Sequence, residues 1–100
     1  MSTLKKKALS GAPKRATSFD APLAKAFGEV VRSLRVQSGV AQDRFALIAG
    51  IDRSYFGKLE RGERQPSLAL VLRVATGLGI KGSELLDLTE SQLARRRRSR

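Results

Sequence analysis

Two short amphipathic segments flank a tight turn near the middle of this chain. In the first, residues 42–49, apolar side chains recur at intervals of three and four residues, as on a helix packed against a core. Gly50 follows and can take the left-handed backbone conformation that ends a helix at no steric cost. Ile51 anchors the turn inside, and Asp52 can cap the next helix by accepting bonds from its first N–H groups. The sequence therefore predicts two short helices joined by a tight turn.

The second of these helices, residues 52–60, presents a basic and polar outer face. Phe56 and Leu59 are its inward residues. Such a face suits a DNA major groove, where Arg and Lys bond guanine and a small residue permits close approach. The alternative interpretation is an ordinary solvated helix face. The position after a tight turn favours base contact, and we expect it from the four outward residues Arg53, Ser54, Gly57 and Lys58.

The formal net charge of +11 lies mostly at the two ends of the chain. Segments rich in like charge and poor in apolar residues cannot bury enough surface to fold, so both tails are expected to be disordered. The prediction is a basic arm over residues 1–18, a folded domain over 19–88, and a short extension with an Arg-rich tail over 89–100. The tails would contact phosphates without regard to sequence; the alternative is a role in solubility or an origin in cloning.

Composition also indicates what the protein does not do. The chain has no Cys and no His. It therefore lacks the side chains needed for a disulfide framework, for the usual transition-metal sites and for His-based acid–base catalysis. We find no nucleophile–base pair and no phosphate-cradling glycine loop, so the protein is predicted not to be an enzyme and to need no cofactor. No apolar run has the length of a membrane span, and a cytoplasmic location without export is expected.

The wider pattern predicts an all-α fold of five helices. The first starts near Asp20 or Pro22 and ends at about Gln37. The second and third are the segments described above, the fourth follows Ser67, and the fifth is short, from about Gly82 to Leu86. Residues 89–92 have capping-box spacing and predict one further helical turn.

The residues that carry this pattern resemble those of the Xre/Cro/lambda-repressor type of helix-turn-helix regulator. The resemblance covers about residues 27–86, and the string at residues 52–57 is similar to the restriction-modification controller subgroup. It implies a compact five-helix DNA-binding domain. Its carriers are Arg32, Arg35, Gln42, Ala46, Gly50, Leu59, Glu60, Arg61, Gly62, Pro66, Ser67, Leu85 and Leu86.

The resemblance also assigns roles outside the base-reading face. It implies that Gln42, at a helix N-terminus, holds a DNA phosphate; the alternative is an ordinary first-turn residue. It further implies a buried ion pair between Arg35 and Glu60, which would join the first helix to the recognition helix. In the family the cap of the second helix is usually Thr or Ser, and this chain has Ala41 there.

Three further residues are candidates for contact with the DNA backbone. Arg61 and Arg64 follow the recognition helix directly, and phosphate contact is expected for both, with free surface charge as the alternative. Tyr55 has two interpretations that the residues leave open. Its hydroxyl can bond a phosphate at the groove edge, or its ring can lie against the second helix.

Leucines crowd the end of the predicted domain at Leu85, Leu86 and Leu88. One or two would complete the core, and the surplus indicates a dimer interface. A homodimer would place two recognition helices on a palindromic operator. The predicted function is therefore a sequence-specific, double-stranded DNA-binding transcriptional regulator without a small-molecule ligand. The alternatives are an antitoxin that binds a toxin protein and a nonspecific nucleoid or RNA-binding protein that acts through its arginine tails.

Overall fold

The computed structural model describes residues 18–99, and every regular element within that range is an α-helix. In chain order the helices are α1 (Ala21–Gln37), α2 (Gln42–Ala49), α3 (Arg53–Glu60), α4 (Leu68–Leu78) and α5 (Gly82–Arg98). The predicted all-α class and the number of helices are confirmed. None of these five helices is both long and apolar enough to cross a membrane.

Three of the helices begin at side-chain caps, two of which, Asp52 and Ser67, were predicted. The carboxylate of Asp20 accepts a hydrogen bond from the N–H of the third residue after it, at 3.1 Å, and Pro22 lies in the first turn of α1. Asp52 and Ser67 cap α3 and α4 in the same way, at 3.0 and 3.1 Å. Because each cap satisfies one of the otherwise unpaired N–H groups, it fixes where its helix starts.

Helix α2 lacks such a cap, since Ala41 at its cap position makes no side-chain hydrogen bond. Ala41 is exposed and its backbone is extended, so a Ser hydroxyl there can reach the first-turn N–H groups without disturbing a neighbour. We expect Ala41→Ser to raise the free energy of unfolding by about 1 kcal/mol. Urea denaturation would measure this, with Ala21→Ser, inside the first turn of α1, as the control that gives no such gain.

The core is a single apolar cluster to which all five helices contribute. At its centre the rings of Phe45 in α2 and Phe56 in α3 lie with centroids 5.1 Å apart and planes inclined by 33°. Both side chains are fully enclosed, as are Val31, Val74 and Leu85 from the other three helices. The aromatic pair fixes α2 against α3, so the orientation of the recognition helix depends on the core.

Helix α5 differs from the prediction in its extent. It does not end near Leu86 but continues without a break to Arg98. Thr89 does not start a new turn, because its side chain is buried and its hydroxyl donates to the Leu85 carbonyl at 2.8 Å. Glu29 on α1 accepts hydrogen bonds from both Gln92 and Arg96. The expected disorder of the Arg-rich tail, residues 95–100, is therefore wrong through Arg98, because this part of the chain continues α5 and packs on α1.

The expected disordered arm falls almost entirely on residues 1–17, which lie outside the described residues. The described chain begins beside the loop between α3 and α4. There the Gln65 side chain donates to the Ser18 carbonyl and accepts from the Asp20 N–H, both at 2.7 Å.

The three leucines predicted to form a dimer interface do not share one surface. Leu85 is 0% exposed within the single chain, so its assignment to a dimer contact is wrong. Leu86 and Leu88 are 44% and 40% exposed, and they line separate grooves on the two sides of α5. Successive helical residues point about 100° apart, which places a buried residue between two exposed flanks.

Candidate nucleic-acid interface

The turn between α2 and α3 is built from backbone geometry. Gly50 has a φ of 71° and ends α2 in the left-handed conformation. The N–H of Ile51 then donates to the Ala46 carbonyl at 2.9 Å, and the Ile51 side chain is buried. Arg73 of α4 donates to the Gly50 carbonyl at 3.2 Å and supports the turn from outside. These contacts fix the direction in which α3 leaves the turn.

The outer face of α3 and the start of α2 form one open, polar cleft. The structure brings together in it five predicted contact residues and an acid, Asp43, that was not predicted. Arg53 and Ser54 are exposed, and the Arg53 side chain retains 75% of its accessible surface. Lys58 is half-buried and lies outside this set. The cleft is lined by Gln42, Asp43, Arg53, Ser54, Gly57 and Arg61.

Gly57 was predicted to point outward, but it is buried. A Cβ at this position would lie 3.3 Å from Nη1 of Arg61 and 3.5 Å from Oε1 of Gln42. These two side chains lie over the glycine, which explains its burial. Both covering groups are ends of flexible side chains, so a ligand in the cleft can reach Gly57 after they move aside.

Arg35 and Glu60 form a bidentate ion pair below this cleft. Nε of Arg35 lies 2.6 Å from Oε2 of Glu60, and Nη2 lies 3.0 Å from Oε1. The remaining Nη1 donates to the Val40 carbonyl at 2.8 Å. The side chains are 9% and 1% exposed. The pair therefore joins α1, the loop after it and the last turn of α3 in a water-excluded setting, as the resemblance implied.

Gln42 is tied to the same pair. Its amide Nε2 donates to Oε1 of Glu60 at 2.8 Å, which uses one of the two N–H donors of this group. The sequence analysis missed this contact, because Gln42 and Glu60 are 18 residues apart and lie on different helices. The bond orients the Gln42 carbonyl oxygen toward Gly57 and fixes the start of α2 relative to α3.

Tyr55 lies against the apolar core and is half-buried. This packing agrees with the interpretation in which the ring rests on the protein. Its assignment as a phosphate contact stays a prediction.

The loop after α3 holds Arg61 and Arg64 on the surface, with an acid between them. Nε and Nη2 of Arg61 donate to the Glu63 carboxylate at 2.9 and 3.3 Å. Hydrogen bonding and charge from Glu63 raise the pKa of Arg61, and the bond from Arg61 lowers the pKa of Glu63. Arg64 donates to the Glu63 carbonyl at 3.1 Å, and its side chain is exposed.

A second acid faces the outer side of α3. Oδ2 of Asp43 lies 3.8 Å from Nη1 of Arg53, and both side chains are exposed. Asp43 and Glu63 are thus the residues of this surface that the sequence analysis did not single out. The position of Glu63 beside two arginines was a visible signal, whereas the approach of Asp43 to Arg53 depends on how α2 and α3 pack.

Two short helices that cross at a glycine turn, with the outer face of the second helix basic and exposed, define a helix-turn-helix protein. The chain belongs to this family, since the family described as "Helix-turn-helix domain" matches residues 26–88. The second half of α5 lies beyond the match. Within residues 18–99, no group of acidic side chains is arranged to hold a metal ion.

Particular relatives place the chain close to restriction-modification controllers. It is 34% identical over 64 residues to control protein C.BamHI of Bacillus amyloliquefaciens, covering 63% of this chain and 79% of that protein. The solved controller C.AhdI of Aeromonas hydrophila is 44% identical, with a TM-score of 0.60 over 62% of this chain and 94% of the other. The clp gene regulator ClgR of Corynebacterium glutamicum is 27% identical, with a TM-score of 0.72 over 77% and 82%. The predicted resemblance is confirmed.

Proposed function

We propose that this protein is a sequence-specific regulator of transcription that binds double-stranded DNA through α3. One observation carries the proposal: the exposed Arg53 and Ser54 share a cleft with Gln42 and Arg61, on a helix fixed from below by a buried ion pair. A rigid helix with free basic and polar side chains is what direct readout in the major groove requires. Relatives named as control proteins and transcriptional regulators support it.

The proposal divides the surface between two kinds of contact. Arg53 and Ser54 read base edges together with Lys58, and Gly57 allows close approach once its covering side chains move. Contacts with the DNA phosphate backbone hold the protein in register on the duplex without carrying sequence information. We assign them to Gln42, Tyr55, Arg61 and Arg64.

A homodimer completes the proposal, because one α3 touches only a few base pairs. An apolar groove between α1, α4 and α5 offers a surface for the second copy, with Leu86 and Leu68 exposed at its edges. Leu88, on the other side of α5, is the second candidate. A twofold axis would present the two recognition helices to half-sites about 34 Å apart on a palindromic operator.

The proposal assigns the protein no catalytic activity and places it in the cytoplasm with its DNA. Genomic fragments retained at about 150 mM salt in excess random DNA test it, since this salt suppresses sequence-independent phosphate binding. A shared twofold-symmetric motif is the expected result. Fragments without a common motif would overturn the proposal in favour of a nonspecific nucleic-acid binder, and co-purification of a small toxin in place of DNA would make the protein an antitoxin.

The two classes of contact predict different behaviour for two arginine variants. Arg53→Ala is expected to lose about 1–3 kcal/mol of discrimination at one base pair, because a bidentate guanine contact is removed. Arg64→Ala is expected to weaken binding to all DNA sequences alike and to flatten the salt dependence of binding by about one unit of slope. Fluorescence anisotropy with operator and random duplexes measures both. Equal losses on the two duplexes for Arg53→Ala would contradict the assignment.

A further inference from the structure

Glu63 stands in the loop that ends the recognition helix, and the backbone fixes its position. Gly62 has a φ of 76°, and its N–H donates to the Leu59 carbonyl at 3.1 Å. The Glu63 N–H donates to the Lys58 carbonyl at 2.9 Å. This pair of bonds is a Schellman motif, which satisfies the last carbonyls of a helix and sets the direction of the following residue. The motif that ends α3 therefore also sets where the Glu63 side chain begins.

This carboxylate occupies one of the two edges of the Arg61 guanidinium that can bind a phosphate through two N–H groups. A guanidinium binds planar or tetrahedral oxyanions through two parallel N–H groups. In Arg61 the Nε and Nη2 groups both point at Glu63, while Nη1 lies over Gly57 in the cleft. A phosphate that takes Arg61 through Nε and Nη2 must displace Glu63, so the two acceptors exclude each other on this edge of the guanidinium.

The contact is also weak enough to exchange. The side chains of Arg61 and Glu63 are 56% and 48% exposed, so water screens their attraction. The hydrogen bond from Arg61 holds the pKa of the Glu63 carboxyl below its ordinary value, and the acid stays charged at neutral pH. Near a DNA backbone, that negative charge opposes binding.

We propose that Glu63 is an intramolecular competitor of DNA phosphate for Arg61 and thereby limits the affinity of this protein for DNA of any sequence. The inference rests on the proposed function, since it concerns the same surface. Sequence-independent attraction comes almost entirely from phosphate contacts, so the loss of one contact lowers it directly. Glu63 thus lowers binding to operator and nonoperator DNA alike.

Binding of a random-sequence duplex, measured by fluorescence anisotropy at several salt concentrations, tests the proposal. Glu63→Gln is expected to bind about two- to fivefold more tightly than the original chain, with a salt slope steeper by about one unit. Glu90→Gln makes the same change in charge at an exposed position on α5, and it should give a smaller gain. Equal gains for the two variants would show a general charge effect and overturn the proposal.

The same measurement in protein that also carries Arg61→Gln shows whether Glu63 acts through Arg61. If Glu63 acts by occupying Arg61, Glu63→Gln has no effect there beyond that of Glu90→Gln. A full gain in that background would overturn the competition. The free protein gives an independent readout, because the pKa of Glu63, followed by NMR, should rise when Arg61 is replaced by Gln. An unchanged pKa of Glu63 would refute its pairing with Arg61. If the pKa rises as expected but no variant binds DNA, the proposed function is refuted instead.

Discussion

Glu60→Ala is expected to lower the free energy of unfolding by about 3–5 kcal/mol, because it leaves the Arg35 guanidinium buried without its counter-charge. The Arg35 side chain is 9% exposed, and besides its bonds to Glu60 it donates to the Val40 carbonyl. The variant also removes the acceptor of the Gln42 amide. The contacts that join α1, α2 and α3 beneath the candidate DNA-binding surface would therefore be lost together. The midpoint and slope of urea denaturation measure the loss.

Two further variants separate the buried charge from the loss of contacts in general. Replacing both partners, as in Arg35→Met with Glu60→Leu, removes the unpaired charge and should recover most of the stability. Glu90→Gln, at an exposed position, should change stability by no more than about 0.5 kcal/mol. A double variant as unstable as Glu60→Ala alone would show that the pair contributes through shape and not through charge.

Gly28→Ala is expected to destabilise the fold by about 2–3 kcal/mol, although Ala is the better helix former. Gly28 lies in α1 where this helix crosses the end of α3. A Cβ there would meet the backbone carbonyl oxygens of Glu60 at 2.4 Å and of Leu59 at 2.5 Å. Backbone atoms cannot rotate out of the way as a side chain does, so α3 must move. We expect operator affinity to fall with stability.

Gly57→Ala is the matched comparison, since Gly57 is also a buried glycine inside a helix. Its added Cβ would meet only the tips of the Arg61 and Gln42 side chains, at 3.3 and 3.5 Å. These can shift by a few tenths of an ångström, so this variant should be as stable as the original or up to about 1 kcal/mol more stable. If both glycine variants lost the same stability, close approach of α1 and α3 would not be the cause at Gly28.

The first four helices could be predicted because their ends are encoded locally. Asp20, Asp52 and Ser67 cap helices within three residues of themselves, and Gly50 ends α2 through its own φ. Such signals depend on neighbouring residues alone, so they can be interpreted without the tertiary structure.

Helix α5 could not be predicted to its full length, because its second half depends on distant contacts. Four consecutive arginines resemble a solvated tail when only their charge is considered. Glu29 nevertheless binds Gln92 and Arg96 from α1, and Thr89 turns its hydroxyl to the helix backbone. Arginine is also a good helix former, so nothing local opposes the continued helix once it packs.

The composition of the site was predictable, whereas its internal bonds were not. The spacing placed Arg53, Ser54 and Arg61 on one surface, and the structure has them lining one cleft. The bond from Gln42 to Glu60 and the approach of Asp43 to Arg53 join separate helices. Their existence follows from the angle between α2 and α3, which the core sets.

The packing of α5 on α1 bears on how the chain folds while it is being synthesised. Glu29 and Arg96 are 67 residues apart, and the fully enclosed Leu85 belongs to the same core as Phe27. A ribosome delivers α1 first, and the helix that covers it emerges last. Until α5 is released, the apolar side of α1 has no final partner, and closing this long loop is the slow topological step. The nascent chain should therefore become protease-resistant only after α5 has left the exit tunnel.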